Sequence, residues 1–67
     1  MKELQKFVEK FGLGISVEAL AVNAYHHMRA LGHMACIWND RYLEVDGQKF
    51  QFIKSRANGC WKVKAFK

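Results

Sequence analysis

The sequence predicts a two-layer α+β domain, with two N-terminal helices packed on one face of a four-stranded antiparallel β-meander (ααββββ). Two observations carry this expectation. Apolar residues recur at helical spacing as far as Leu31, and from His33 onward the period changes to two. Three turn signals, Asn39-Asp40, Asp46-Gly47 and Asn58-Gly59, then cut the second half into strand-length pieces. A chain of 67 residues has room for one domain, residues 1–67.

Leu4, Phe7, Val8 and Phe11 predict a first helix over about 2–11, with Gly12 as its left-handed stop. Ser16 offers a hydroxyl to the unpaired amides of a second helix over about 16–31. Glu18 suits the positive end of its dipole. Ile15, just before the cap, is placed to pack against Leu20. Val17, Leu20, Ala21, Ala24, Met28 and Leu31 form the apolar face of this helix, and Gly32 ends it.

Strands are expected at about 33–38, 41–46, 48–56 and 60–66. Asp-Gly and Asn-Gly favour two-residue hairpin turns because both central residues of a type I′ turn need positive φ; Asn-Asp is the weaker signal. Two-residue turns throughout would set Cys36 opposite Leu43 and Met34 opposite Val45, then Leu43 opposite Phe50 and Glu44 opposite Lys49. In the last hairpin they would set Phe52 opposite Ala65, Lys54 opposite Val63 and Arg56 opposite Trp61. One face then carries Met34, Cys36, Trp38, Leu43, Val45, Phe50, Phe52, Trp61, Val63 and Ala65. The other carries Glu44, Asp46, Lys49, Gln51, Ser55, Lys62 and Lys64. A slip of one residue exchanges the faces of a strand, so this separation tests the registers.

The composition is globular, with 51% apolar residues. Eleven basic residues against six acidic ones give a net charge of +5, which favours polyanions or acidic protein surfaces as partners. Two cysteines are too few for a disulfide framework. No apolar segment resembles a signal peptide or reaches membrane-spanning length. The expectation is a cytoplasmic protein with reduced thiols and no membrane partner.

Catalytic chemistry finds little support. Ser16 is a helix cap, Ser55 lies near a hairpin tip, and Gly12-Leu13-Gly14 lacks the strand and lysine of a phosphate loop. His26 and His27 point about 100° apart on a helix, and Cys36 and Cys60 fall on opposite sheet faces, so no metal site is expected. No enzyme activity and no cofactor are expected. The second helix has Arg29 as its only lysine or arginine, which argues against a DNA-recognition helix.

Binding residues concentrate in the last hairpin. Residues 53–64 are expected to project beyond the first two strands as a ribbon lined by Lys54, Arg56, Lys62 and Lys64, with Trp61 facing Arg56. These side chains suggest a small regulatory module that contacts nucleic acid, the cations holding phosphates and Trp61 stacking on a base. The bland alternative is an Arg56–Trp61 cation–π pair on an edge strand guarded by lysines. A competing reading is a protein-interaction module, an inhibitor or adaptor with the general character of a phage or mobile-element accessory protein. It would hold an acidic partner through an exposed row of Ile37, Tyr42, Ile53 and Phe66, or through the helix surface bearing Asn23, His26, His27 and Ala30. The same row could close a homodimer sheet to sheet.

Overall fold

The computed structural model describes residues 2–39, 42–57 and 59–66. Helix α1 spans Lys2–Phe11 and α2 spans Val17–Ala30. They precede strands β1 (Ala35–Trp38), β2 (Tyr42–Val45), β3 (Gln48–Lys54) and β4 (Trp61–Phe66). The strands form one antiparallel sheet in the order β1-β2-β3-β4, so the predicted ααββββ arrangement is the one observed.

Helix α2 starts where the capping chemistry places it. The Ser16 hydroxyl accepts the Ala19 N–H at 3.2 Å, and Leu20 N–H begins the helical ladder on the Ser16 carbonyl. Leu20, Ala21, Ala24 and Met28 are buried on one stripe, while Leu31 caps the helix and stays exposed. From α1, Leu4 and Val8 are buried, Phe7 is half-buried, and Phe11 turns outward. Helix α2 lies over β1 and β2, and α1 packs against α2 and β4. Between the layers Ala35, Leu43, Val45, Phe50 and Phe52 complete the core.

The strand registers agree with the sequence expectation in one hairpin and depart from it in two. At Asp46-Gly47 both residues take positive φ (52° and 86°), and Leu43 pairs with Phe50 and Glu44 with Lys49 as expected. At the last hairpin the pairs are Phe52–Val63 and Lys54–Trp61. Arg56 has no strand partner, because a four-residue loop replaces the two-residue turn. Ser55 N–H donates to the Cys60 carbonyl at 2.8 Å, Gly59 N–H donates to the Ser55 carbonyl at 3.0 Å, and Gly59 closes the loop at φ 73°. Asn58, half of the predicted turn, lies outside the described residues. The register moved by two, which leaves every β4 side chain on its expected face.

The first hairpin moved by one, and β1 is inverted. Ala35 pairs with Val45 and Ile37 with Leu43, leaving three residues (39–41) for the connection; Asp40 and Arg41 lie outside the described residues. Ala35 and Ile37 therefore face the helices. Met34 (79% exposed), Cys36 and Trp38 (47%) do not join the core as the sequence suggested.

The α1–α2 connection docks on β4. The Trp61 indole N–H donates to the Ile15 carbonyl at 3.2 Å, and the Gln5 side-chain carbonyl accepts the Val63 N–H at 2.9 Å. Gly12 lies beneath Trp61. It is not the left-handed residue of this turn; that residue is Gly14, with φ 79°. Glycine is needed at position 12 for space. A Cβ there would sit 2.6 Å from the Val8 carbonyl oxygen and 3.0 Å from Trp61 Cδ1. Replacing Gly12 by alanine is expected to lower stability by about 1–3 kcal/mol through this overpacking. The measurement is the urea midpoint, and an unchanged midpoint would refute the close approach.

Candidate functional site

Strand alternation decides which side chains the helices leave uncovered. With Ala35, Ile37, Leu43, Val45, Phe50, Phe52, Trp61 and Val63 packed in or against the core, the opposite face carries two full cross-strand rows. Trp38, Tyr42, Gln51 and Lys64 form one; Cys36, Glu44, Lys49 and Phe66 form the next. Ile53 and Lys62 extend the face along the longer β3–β4 pair.

This face combines aromatic and basic groups. The Tyr42 and Phe66 rings lie 5.2 Å apart, tilted by 54°. The Trp38 indole donates to Glu44 Oε1 at 3.2 Å, which fixes its ring, and Lys49 Nζ sits 4.8 Å from the ring centroid. Lys49, Lys62 and Lys64 form no ion pair with a carboxylate among the described residues, and Glu44 is the one described acidic strand residue on the face. The result is a positively charged surface with three aromatic side chains set into it.

The residues expected to bind are divided by the fold. Lys62 and Lys64 stand on the open face, and Arg56 is exposed in the tip loop. The hairpin does extend beyond β2. Among the described residues the last β2–β3 pair is Tyr42–Gln51, and Phe52–Val63, Ile53–Lys62 and Lys54–Trp61 lie past it. Trp61, however, is turned inward to Ile15 and Gly12, so its indole secures the helix connection. Lys54, its actual partner, places Nζ 5.9 Å from that ring, in place of the expected Arg56–Trp61 pair. Of the Ile37, Tyr42, Ile53 and Phe66 row, Ile37 leaves for the core side, while Tyr42, Ile53 and Phe66 remain on the open face. Trp38 takes the place of Ile37, and Lys49 joins the set. The signal for Trp38 was the length of one loop; for Lys49 it was already legible, as an outward lysine opposite Glu44.

Other surfaces are less developed. Between α1 and the sheet, Lys2, Gln5, Lys6, Glu9, Phe50 and Val63 line an open groove of about 430 Å³. On the helix surface His27 stacks on Phe7 at 4.4 Å with an 11° interplanar angle. Among the described residues no group of three or more His, Cys, Asp or Glu side chains converges as a metal site would require, and no helix is long and apolar enough to cross a membrane.

His33 and Asp46 join the start of β1 to the β2–β3 turn. His33 Nδ1 lies 2.6 Å from Asp46 Oδ2, Asp46 Oδ1 accepts the Met34 N–H at 3.1 Å, and Asp46 N–H donates to the Met34 carbonyl. The hydrogen bond from His33, then that from Met34, holds the Asp46 carboxyl below its ordinary value.

No protein-family model, curated protein or solved structure matches the chain. The functional reading therefore rests on the geometry of the open face.

The Asp46 clamp makes a signed prediction. A carboxyl with a depressed folded-state pKa contributes stability that is present above its unfolded value, near pH 4, and is lost as pH falls through the folded value. Asp46→Asn should lower the thermal midpoint at pH 7, with the difference from the native chain shrinking toward pH 3. A constant difference across that range would show that the carboxylate charge plays no part.

Proposed function

We propose that this chain is a small, non-enzymatic nucleic-acid-binding module whose contact surface is the open face of the β3–β4 hairpin and the strands beside it. One observation carries the reading: Lys49, Lys62 and Lys64 stand on the uncovered sheet face without described ion-pair partners, interleaved with Tyr42, Phe66 and Trp38. A surface with a single acidic strand residue attracts a polyanion. Lysines without a described carboxylate partner reach phosphates without first breaking an ion pair. Arg56 at the tip adds a further cation along the hairpin axis. Cytoplasmic action is part of the proposal and suits Cys36, an exposed thiol that a reducing compartment protects.

A second reading, capture of an acidic protein surface, uses the same lysines together with Ile53, which is 38% exposed beside Lys62. Salt separates the two less well than the ligand itself does, so the first test is direct binding to short DNA and RNA by fluorescence anisotropy. With about three to four phosphate contacts, log K should fall against log salt with a slope of roughly −2 to −4. The double change Lys62→Glu and Lys64→Glu should reduce that slope by about 2 and weaken every sequence alike. Absence of binding to any oligonucleotide at 50 mM salt, a concentration at which three to four such contacts bind roughly 20- to 250-fold more tightly than at 200 mM, would overturn the proposal and leave the acidic-protein reading.

A further inference from the structure

We infer that the ligand of the open face is single-stranded, with unpaired bases stacked on Trp38 and on the Tyr42–Phe66 pair and a phosphate held by Lys49 between them. This rests on the nucleic-acid reading above and narrows its ligand class.

The first argument is one of width. The three aromatic side chains belong to β1, β2 and β4, so the surface they define crosses the whole sheet. Four strands about 4.8 Å apart set their outer backbones roughly 14 Å from each other before any side chain is added. A duplex major groove is about 12 Å wide and admits a helix or a two-stranded ribbon. The two-stranded overhang beyond β2 could enter such a groove, but its one aromatic on the sheet, besides Phe52 in the core, is Trp61, which is bonded to Ile15. The aromatic surface and the groove-sized element are thus different parts of the sheet.

The second argument is chemical. Reading a duplex needs side chains that reach base edges in the groove, and beside its lysines, which can meet guanine as well as phosphate, the open face offers one amide among the described strand residues, Gln51. What the face has in number is aromatic rings, and a base presents its own ring to them only when it is unpaired.

The geometry gives each group a part. Glu44 holds the Trp38 indole by its N–H, fixing the ring, and Lys49 covers that ring with its ammonium group. A base arriving on Trp38 takes the place of Lys49, and the released ammonium is then free to meet the adjoining phosphate. Trp38 and Tyr42 are direct cross-strand partners, so successive bases of one strand can reach both stacking positions.

The experiment compares the full chain binding a 12-nucleotide deoxythymidine strand with its binding to a 12-base-pair duplex, at one salt concentration. The readouts are anisotropy and tryptophan emission. The single strand should bind about tenfold more tightly or better, and its binding should quench tryptophan emission. Trp38→Leu should lose most of the quenching and about tenfold in single-strand affinity, with duplex affinity and the salt slope unchanged. Phe66→Leu supplies the same affinity test if circular dichroism shows the Trp38 variant to be unfolded. Equal or tighter duplex binding, or native single-strand affinity in a folded variant, would overturn the inference while the nucleic-acid reading stands. Binding to neither ligand would overturn both.

Discussion

Trp61 donates its indole N–H to the carbonyl of Ile15, 46 residues earlier, and presses its ring edge against Gly12, a position in the helix connection where a Cβ would not fit. Two residues further along β4, the Val63 amide is held by Gln5 of α1. Together these contacts join the last strand to the first helix and close a chain too short to rely on a large core. They also fix the orientation of β4. With Trp61 and Val63 held against the helices, the period of two sends Lys62, Lys64 and Phe66 to the opposite side. The basic and aromatic character of the open face follows from how the closing strand is anchored.

The same logic works at the other end of the sheet. Strand β1 is positioned by the bonds that Asp46 makes to Met34 and His33, and by the pairing of Ala35 and Ile37 with Val45 and Leu43. Ala35 is a small side chain beneath α2, a helix whose own buried stripe includes Ala21 and Ala24. Small residues on both sides of the layer allow helix and sheet to approach closely. The larger Met34 and Trp38 are left outside. Trp38 then leans over Glu44 and Lys49, in the row next to its own, and the open face acquires its third aromatic.

These two ends differ in how far the sequence could reveal them. Helical periodicity, the Ser16 cap and the Asp46-Gly47 turn are local signals, and each appears in the structure where the pattern put it. The last hairpin also kept its faces, although its loop is two residues longer than a tight turn, because an even shift preserves parity. The β1 register was not recoverable in this way. Met34, Ala35, Cys36, Ile37 and Trp38 are apolar at both parities, so alternation could not arbitrate, and the face depended on whether two or three residues connect β1 to β2. Trp61 posed a different problem. Its strand and its face were legible, but its use as the lock on the helix connection depends on a contact between distant segments that no local pattern encodes. Gly12 was misread for the same reason: a glycine after a helix suggests a left-handed residue, whereas here it makes room for an indole from the far end of the chain.

The Gln5 contact has a consequence for assembly. An outer strand of a sheet is a template on which another strand can grow, and natural proteins block such edges with charge, irregularity or a covering element. On β4 the Val63 amide that would receive an incoming strand is already occupied by a side chain from α1, and the same helix lies along Phe50 and Val63. Lifting α1 from the sheet would uncover a hydrogen-bonding edge and an apolar strip together, the pairing from which cross-β stacking propagates. The first helix therefore acts as a stop on the β4 side of the sheet, with the Gln5 side chain filling the Val63 position where a fifth strand would begin to pair.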